Sequence, residues 1–328
     1  MSNQFKVIKI DKNGGPDVML WKDLKLLKPD SNEITIKHTY VGINYIDTYH
    51  RSGLYPLSLP TGLGMEASGK IIDIGNNVKE FNIGDRVTYV MALGSYATHR
   101  NIAVEKVVKI PEGIEDYEAA AIMLKGMTVE YLFERLFKIN PSHTVLFHAI
   151  AGGVGLIACQ WLKSLGAHVI GTAGSVEKAN LAKKYGCDEV ILYKEKNFVK
   201  EVNNITNSIG VDVVYDGVGK DTAILSLDCL KPLGTMVVFG NSSGNCPPID
   251  PGLLASKGSL FFTRPTLMDY GTKKEDLMQS SSRVFKMLLD KKINLNINSS
   301  YKLSDVVTAH KALENRETTG SIVMENNY

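Results

Sequence analysis

The chain has 328 residues, of which 44% are hydrophobic and 22% are charged, a composition typical of a folded globular protein. Its 37 basic and 35 acidic residues give a formal net charge of +2 and are interspersed, so charge gives no support to nucleic-acid or membrane-surface binding. No stretch approaches the roughly 18 apolar residues of a membrane-spanning helix, and residues 1–12 lack the apolar core of a signal peptide.

Four cysteines, Cys159, Cys187, Cys229 and Cys246, lie far apart and form no C-x-x-C pair. This spacing argues against a disulfide framework and against a clustered zinc site. Free cysteines are typical of a reducing compartment, so we expect a cytoplasmic location. The length favours two domains.

The first of three segments, residues 1–125, is rich in predicted strands. Strand patterns occur at residues 5–10, 33–37, 67–74 and 86–90, with glycine turn signals between them. Strands without regular intervening helices predict a compact, mostly β unit.

The second segment, residues 126–264, alternates between strand and helix patterns. Strands are predicted at residues 144–149, 169–172, 189–192, 211–215 and 235–239, and helices at residues 155–165, 177–185, 198–208 and 221–230. This alternation predicts an α/β domain with a doubly wound parallel sheet.

The third segment, residues 265–328, has helix patterns at residues 281–289 and 304–314 and a strand pattern at residues 320–324. It is too short and too thinly apolar to form an independent domain. We expect it to return to the first segment.

A glycine-rich loop, AIAGGVG at residues 149–155, follows a predicted buried strand and opens an amphipathic helix. This is the context of a loop that holds the pyrophosphate of a dinucleotide at a helix N-terminus. Ile150 stands where the first glycine of G-x-G-x-x-G would fall, so a tight turn that only needs small residues stays an alternative. The candidate cofactor-binding residues of this loop are Gly152, Gly153, Val154 and Gly155.

The residues after the second strand of this segment indicate which nicotinamide cofactor binds. An NAD enzyme usually places Asp or Glu there to hold the ribose hydroxyls, whereas the sequence at residues 171–175 is GTAGS. Gly174 and Ser175 with the nearby cation of Lys178 suit a 2′-phosphate, which favours NADPH. The alternative is that Lys178 is an ordinary solvated helix residue.

Motifs along almost the whole chain carry a family resemblance. They are GINYIDTY at residues 42–49, RSGLYP at 51–56, GMEASG at 64–69, GDRV at 84–87, KGMT at 125–128, FGNSSG at 239–244 and TRP at 263–265. In order and spacing they resemble the bacterial NADPH:quinone oxidoreductases and zeta-crystallins of the zinc-independent medium-chain dehydrogenase/reductase superfamily. The resemblance implies a GroES-like catalytic domain split around a Rossmann domain, a cofactor cleft between them, and a homodimer.

The resemblance also implies roles for residues of the first segment. Tyr49 and Tyr55 would line the substrate cleft and Asn44 would reach the nicotinamide, which makes these three the candidate catalytic residues. The alternative for both tyrosines is a packing role.

The resemblance extends to the cofactor. Thr128, read as opening a helix, would meet the nicotinamide ribose, and Lys178 and Tyr193 would meet the adenosine phosphate. Further cofactor contacts implied by the resemblance are Phe239, Ser242, Arg264 and Arg316. One departure is Gly217, where relatives often have serine.

Zinc is not expected. The alcohol dehydrogenase relatives hold a catalytic zinc with a cysteine where this chain has Asn44 and a histidine where it has Met65, and methionine is a poor zinc ligand. Without a Lewis acid, the chemistry shifts towards acceptors that are already electrophilic.

The sequence therefore predicts metal-free, NADPH-dependent reduction of quinones, or of other electrophilic small molecules, by hydride transfer. A 2-alkenal or enoyl reductase of the same fold is the alternative enzyme. A non-catalytic crystallin-like or RNA-binding role is the alternative of another class. His148 precedes the glycine loop, and we interpret it as hydrogen-bonded structure rather than as a catalytic base.

Overall fold

The computed structural model describes residues 4–328, so residues 1–3 of the predicted first segment lie outside the described part. The chain divides into two units. The first unit contains residues 4–127, 271–291 and 295–328, and the second contains residues 128–270 and 292–294.

In residues 4–328 the chain forms sixteen strands. In chain order they are β1 (Gln4–Ile10), β2 (Leu20–Lys25), β3 (Glu33–Ile43), β4 (Thr61–Gly62), β5 (Glu66–Ile74), β6 (Arg86–Val90), β7 (His99–Ala103), β8 (Val107–Lys109), β9 (Thr144–Phe147), β10 (His168–Ala173), β11 (Glu189–Leu192), β12 (Val211–Asp216), β13 (Leu230–Val238), β14 (Phe261–Thr263), β15 (Ser299–Lys302) and β16 (Ile322–Glu325).

Ten α-helices accompany these strands in the described residues. They are α1 (Tyr45–Ser52), α2 (Asp116–Glu130), α3 (Gly153–Ser164), α4 (Val176–Lys184), α5 (Phe198–Ile205), α6 (Ala223–Ser226), α7 (Pro251–Ser256), α8 (Leu267–Gly271), α9 (Lys274–Leu289) and α10 (Val306–Glu314). Short 3₁₀ turns occupy Pro16–Val18, Val104–Lys106, Leu227–Cys229 and Leu303–Asp305, and a π-helical segment occupies Tyr131–Leu136.

The first unit is built on a seven-stranded sheet in the order β15-β16-β3-β5-β6-β8, with β7 also paired to β3, and on a three-stranded sheet β2-β1-β4. β3 is the central strand, and Ile34, Ile36 and Val41 on it are buried in the core. The last strand of the chain, β16, pairs antiparallel with β3. The C-terminal segment therefore completes the sheet that the first segment begins.

Two helices in the first segment differ from the prediction of strands without regular helices. The sequence of α1, YIDTYHRS, is short and mostly polar, and the helix is defined by its ends. The backbone N–H of Asn44 donates to Asp47 Oδ2 at 2.9 Å, and Gly53 ends the helix with φ 85°. In α2, residues 119–123 and 125–130 are all buried, so no amphipathic period marks the helix.

The second unit is a six-stranded parallel sheet in the order β11-β10-β9-β12-β13-β14, with helices in the connections. The predicted doubly wound parallel sheet is therefore confirmed, and this is the strand order of the dinucleotide-binding folds. Its core includes Leu146, Ile170 and Val214 from three adjacent strands.

Two helix predictions in this region were wrong. The helix expected over residues 221–230 is only α6 and a 3₁₀ turn, because Leu230 is already extended and pairs with Val211 of β12. Thr128 does not open a helix but lies near the C-terminal end of α2. No helix in residues 4–328 combines the length and hydropathy needed to cross a membrane.

Ile150, which replaces the first glycine of the dinucleotide motif, is accommodated by a glycine on the next strand. Ile150 is fully buried. A Cβ at Gly171 would lie 2.6 Å from Ile150 Cγ2, so only glycine in β10 leaves room for the isoleucine. The extra bulk at one position is offset by the missing side chain at the other.

Substituting Gly171→Ala should therefore lower the free energy of unfolding by about 1–3 kcal/mol, the usual cost of overpacking a core. Gly15→Ala is the matched control, since a Cβ at Gly15 would meet nothing within 4 Å. Urea unfolding of both variants measures the difference. Equal stabilities would contradict this account of the loop.

Candidate functional site

The carboxyl-terminal edge of the parallel sheet gathers most of the predicted cofactor residues. Because all six strands are parallel, their C-terminal ends meet at one edge, where ligands bind in open α/β sheets. Nine of these residues lie in the loops or helix starts that follow the strand ends: Gly152, Gly153, Val154 and Gly155 after β9, Gly174 and Ser175 after β10, Tyr193 after β11, and Phe239 and Ser242 after β13. Arg264 follows β14, while Thr128 and Lys178 lie in helices of the same unit.

The glycine loop has the backbone geometry of an anion cradle. Gly152 caps the twelve-residue helix α3 with φ −77° and ψ 177°, which leaves the first amides of the helix available to a ligand. A Cβ at Gly155 would lie 2.3 Å from the carbonyl oxygen of Ile150, so glycine is required for the helix to pack this closely on the loop. These residues fit the pyrophosphate of a dinucleotide.

The end of β10 is shaped for a ribose phosphate rather than for ribose hydroxyls. Ser175 caps α4 and accepts a hydrogen bond from the backbone N–H of Lys178 at 3.3 Å. A Cβ at Gly174 would lie 2.9 Å from the Tyr193 hydroxyl, so this tyrosine closes over the loop. The half-buried Lys178 and the hydroxyls of Ser175 and Tyr193 fit a 2′-phosphate, and Ala173, Gly174 and Ser175 include no acid.

Asp216, which sequence reasoning did not single out, fixes the loop after β12. It is fully buried, and its Oδ1 accepts hydrogen bonds from the backbone N–H of Val218 at 2.6 Å and of Gly219 at 3.0 Å. A Cβ at the neighbouring Gly217 would lie 3.1 Å from Cζ of Phe239. A side chain at this position would therefore lie directly against the Phe239 ring.

His148 is a structural residue, as the sequence indicated. Its Nε2 donates to Ser226 Oγ at 2.8 Å, because that hydroxyl already donates to the carbonyl of Thr222. Its Nδ1 lies 3.1 Å from Thr172 Oγ1. Burial lowers the pKa of His148, so the ring stays neutral and hydrogen-bonded on both sides.

The three candidate catalytic residues lie together around α1 in the first unit. Asn44 precedes the helix and is buried. The rings of Tyr49 and Tyr55 meet edge to face with centroids 5.1 Å apart, and the Tyr55 backbone N–H donates to the Tyr49 carbonyl at 3.1 Å. Tyr49 is buried and Tyr55 is half-buried. Their roles in substrate binding stay a prediction.

Asn44 is joined to a buried ion pair that sequence reasoning missed. Its Nδ2 donates to Glu66 Oε1 at 2.8 Å, and Lys125 Nζ donates to the same oxygen at 3.1 Å. Glu66 Oε2 accepts the backbone N–H of Leu124 at 2.7 Å. A Cβ at Gly42 would lie 2.4 Å from Glu66 Oε1, so the glycine is needed for the carboxylate to sit here.

A second buried hydrogen-bond network in the first unit runs from Arg51, its first donor, to Asp47, its last acceptor. Arg51 can only donate, so its Nη1 donates to His310 Nδ1 at 2.9 Å and places the ring proton on Nε2. His310 Nε2 then donates to the Tyr96 hydroxyl at 2.9 Å, and Tyr96 donates to Asp47 Oδ2 at 2.8 Å. Glu314 binds the outer face of the Arg51 guanidinium through two hydrogen bonds of 2.6 and 3.0 Å.

Asp47 ends this network in an unusual state. Its Oδ2 takes both hydrogen bonds, while Oδ1 has no partner among residues 4–328 although it is buried. Burial raises the pKa of Asp47 to about 7, and burial beside Arg51 lowers the pKa of His310 to about 3. At neutral pH the histidine is therefore neutral, and Asp47 holds a proton far more readily than an ordinary aspartate.

The two predicted arginines belong to different units. Arg264, exposed just after β14, donates from Nη1 to the carbonyl of Pro265 at 2.7 Å. Arg316 is exposed after α10 with φ 61°. Their cofactor contacts stay predictions.

No cluster of three or more His, Cys, Asp or Glu side chains in the described residues is suited to a metal ion. Met65, in the position of the relatives' histidine, is buried in the core of the first unit. The metal-free chemistry expected from the sequence stays a prediction.

Two family models match the chain. Residues 30–112 match the alcohol dehydrogenase GroES-like domain, and residues 153–278 match the zinc-binding dehydrogenase family. The second description names zinc, but Asn44 and Met65 lie outside the residues it matches. The fold class predicted from the sequence is confirmed: a mostly β GroES-like domain and a Rossmann domain with a doubly wound parallel sheet.

Curated relatives match over nearly the whole chain. Quinone oxidoreductase 1 of Escherichia coli is 46% identical over 97% of this chain and 98% of its own length. A 2-haloacrylate reductase of Burkholderia sp is 39% identical over 96% of this chain and 97% of its own length. Among solved structures, E. coli quinone oxidoreductase complexed with NADPH superimposes with a TM-score of 0.95 at 45% identity, covering 98% of this chain and all of that one.

The state of Asp47 gives a testable pH dependence of stability. Its pKa in the folded protein, about 7, lies above the ordinary 3.8, so its contribution to stability is full below pH 3.8 and is lost as the pH rises through 7. Asp47→Asn cannot ionise, and we expect it to become more stable relative to the unsubstituted protein between pH 5 and pH 8. Thermal melts at both pH values measure the change.

The exposed Asp23→Asn is the control, because Asp23 lies at the surface in an ion pair with Lys6. It should show no such change. A stability difference between Asp47→Asn and the unsubstituted protein that is the same at pH 5 and pH 8 would show that Asp47 is already ionised at the lower pH.

Proposed function

The chain belongs to the quinone oxidoreductase family, and from that premise we propose that it reduces quinones by hydride transfer from NADPH. The observation that carries the proposal is the edge of the parallel sheet. There the glycine loop can hold a pyrophosphate, residues 173–175 after the next strand include no acid, and Lys178 supplies a cation. These three features suit a dinucleotide that carries a 2′-phosphate. When bound, NADPH supplies the hydride that reduces the acceptor.

The protein's part is to bind and orient. The amides of residues 152–155 would hold the pyrophosphate, and Ser175, Lys178 and Tyr193 would hold the 2′-phosphate. The remaining contacts that we assign to the cofactor are Asn44, Thr128, Gly174, Phe239, Ser242, Arg264 and Arg316. Orientation of this kind turns a reaction between two molecules into a reaction within one complex.

The acceptor would meet Tyr49 and Tyr55, whose rings form an edge-to-face pair. A planar quinone can pack on such surface, and its electron-poor ring accepts hydride without a metal. We place the reaction in the cytoplasm, because the four cysteines are free thiols.

The direct test is NADPH oxidation with a panel of quinones, each repeated with NADH. We expect turnover with quinones and a clear preference for NADPH. Absence of NADPH turnover with every quinone would favour a non-catalytic role for this fold.

A second candidate function is reduction of activated alkenes. It is favoured by the relative named 2-haloacrylate reductase, which is similar over almost its full length. Parallel assays with phenanthrenequinone and a 2-alkenal separate the two, because they share the hydride donor but not the acceptor. Activity with the alkenal alone would replace quinone reduction by this alternative.

The cofactor preference should depend on Lys178. In Lys178→Glu we expect the KM for NADPH to rise about 10- to 100-fold, since a hydrogen bond to a charged group is worth about 1.5–3 kcal/mol. The KM for NADH should change little, because NADH lacks the phosphate. Steady-state kinetics with both cofactors measures the two values.

Lys183→Glu is the control, since this lysine is exposed at the opposite end of α4. It should leave both KM values unchanged. An unaltered NADPH preference in Lys178→Glu would remove this residue from the phosphate site.

We also propose that two copies of the chain associate through β14. Within the described residues this strand pairs on one side only, with β13, and so offers an open sheet edge. Phe261 on the strand is 61% exposed, and Leu233 beside it is 66% exposed. Apolar side chains beside an unpaired strand suit a symmetric contact between identical subunits.

Phe261→Asp should convert a dimer into a monomer, because it places a charge in the apolar contact. Sedimentation velocity of the two proteins measures the change. Ile209→Asp is the control, since Ile209 is 67% exposed in the same unit but lies before β12. A dimer that survives Phe261→Asp would mean that the subunits meet elsewhere.

A further inference from the structure

The ammonium group of Lys125 is buried with most of its hydrogen-bonding capacity unused. Its side chain is 6% exposed. An ammonium carries three N–H donors, yet within residues 4–328 its one hydrogen-bond partner is Glu66 Oε1 at 3.1 Å. Removing a charge from water is unfavourable unless hydrogen bonds replace the water, so the two donors without a protein acceptor among these residues indicate a place for a ligand oxygen.

Glu66 does not need Lys125 to hold its position. Asn44 Nδ2 and the Leu124 backbone N–H fix its two oxygens separately, at 2.8 and 2.7 Å. The carboxylate is thus a rigid base on which the ammonium rests.

Hydrogen bonds in the first unit connect Lys125 to the helix that carries the candidate catalytic residue Tyr49. Lys125 and Asn44 share Glu66 Oε1, and Asn44 is the residue from which α1 starts. Tyr49 lies one turn into that helix. The ammonium is therefore linked through Glu66 and Asn44 to the start of the helix that carries Tyr49.

We propose that Lys125 is the catalytic proton donor of this reaction, meeting the acceptor oxygen through its free N–H groups. The proposal rests on the proposed function, since it names the group that completes quinone reduction. A quinone that has gained a hydride carries negative charge on oxygen, and a fixed ammonium stabilises that charge as it develops.

Reduction of a quinone to a hydroquinone needs one hydride and one proton. The hydride brings two electrons and one hydrogen to the quinone and leaves a hydroquinone anion. An N–H bond of Lys125 breaks, an O–H bond forms on the anion, and the neutral amine then regains a proton from solvent. One hydride and one proton together give the hydroquinone.

Lys125→Met should lower kcat on the order of 100-fold, the contribution typical of a general acid, and leave NADPH affinity by fluorescence titration unchanged. The matched variant is Lys125→Arg, which keeps charge and donors but cannot release a proton at neutral pH. We expect Arg to restore little of the lost kcat. Full recovery with Arg would overturn proton donation.

A second readout does not depend on turnover. 4-Nitrophenol serves as a probe of the hydroquinone anion, because its phenolate absorbs visible light. In the unsubstituted protein, binding should favour the phenolate and lower the apparent pKa of the probe, and in Lys125→Met this shift should disappear. An equal shift in both proteins would overturn the proposal.

Two further measurements keep the test decisive. Glu66→Gln with Lys125→Met removes both buried charges together, so it preserves the fold if the single variant is unstable, and it should show the same loss of kcat. The exposed Lys302→Met should behave as the unsubstituted protein. Failure of the unsubstituted protein to reduce any quinone would count against the proposed function, whereas normal kcat in Lys125→Met would count against Lys125 alone.

Discussion

The hydrogen bonds of the buried Glu66 carboxylate hold together the part of the first unit that carries the candidate catalytic residues Asn44 and Tyr49. Glu66 opens β5 and takes donors from Asn44 at the start of α1 and from Leu124 and Lys125 in α2. Three elements distant in sequence are thus fixed at one point. Because a buried charge that loses its partner is strongly destabilising, separating these elements would be unfavourable. Gly42 is also required, since a side chain there would occupy the space of the Glu66 carboxylate.

The second unit achieves its order by a different means. Its predicted cofactor residues owe their positions to the backbone, because parallel strands deliver successive loops to the same edge. Side-chain demands are few: a small residue where a strand meets a helix, a cap at Ser175, and a carboxylate at Asp216 that holds one loop. Ile150 fits in the loop because Gly171 on the neighbouring strand has no side chain. The glycine that makes room can therefore lie on the neighbouring strand instead of in the loop.

This difference explains how far the sequence could predict the molecule. The alternation of residues 144–239 is visible because local period and tertiary packing agree, and the family motifs carry the rest of the fold class. The helices α1 and α2 escaped prediction because one is set by its ends and the other is buried all round. Glu66 lies in the GMEASG motif and Lys125 in the KGMT motif, but the ion pair between them joins residues 59 positions apart. No local pattern encodes that contact.

Two buried carboxylates of the first unit show why the chemistry divides as we propose. Glu66 receives an ammonium and two N–H donors spread over both oxygens, an arrangement that holds the carboxylate rigidly. Asp47 receives two neutral donors on one oxygen and none among the described residues on the other, which is why burial raises its pKa. Glu66 is suited to hold Lys125 in place. Asp47 ends a network in which His310 and Tyr96 stay neutral and the Arg51 guanidinium is paired with Glu314, which leaves Lys125 as the cation that we propose to meet an acceptor.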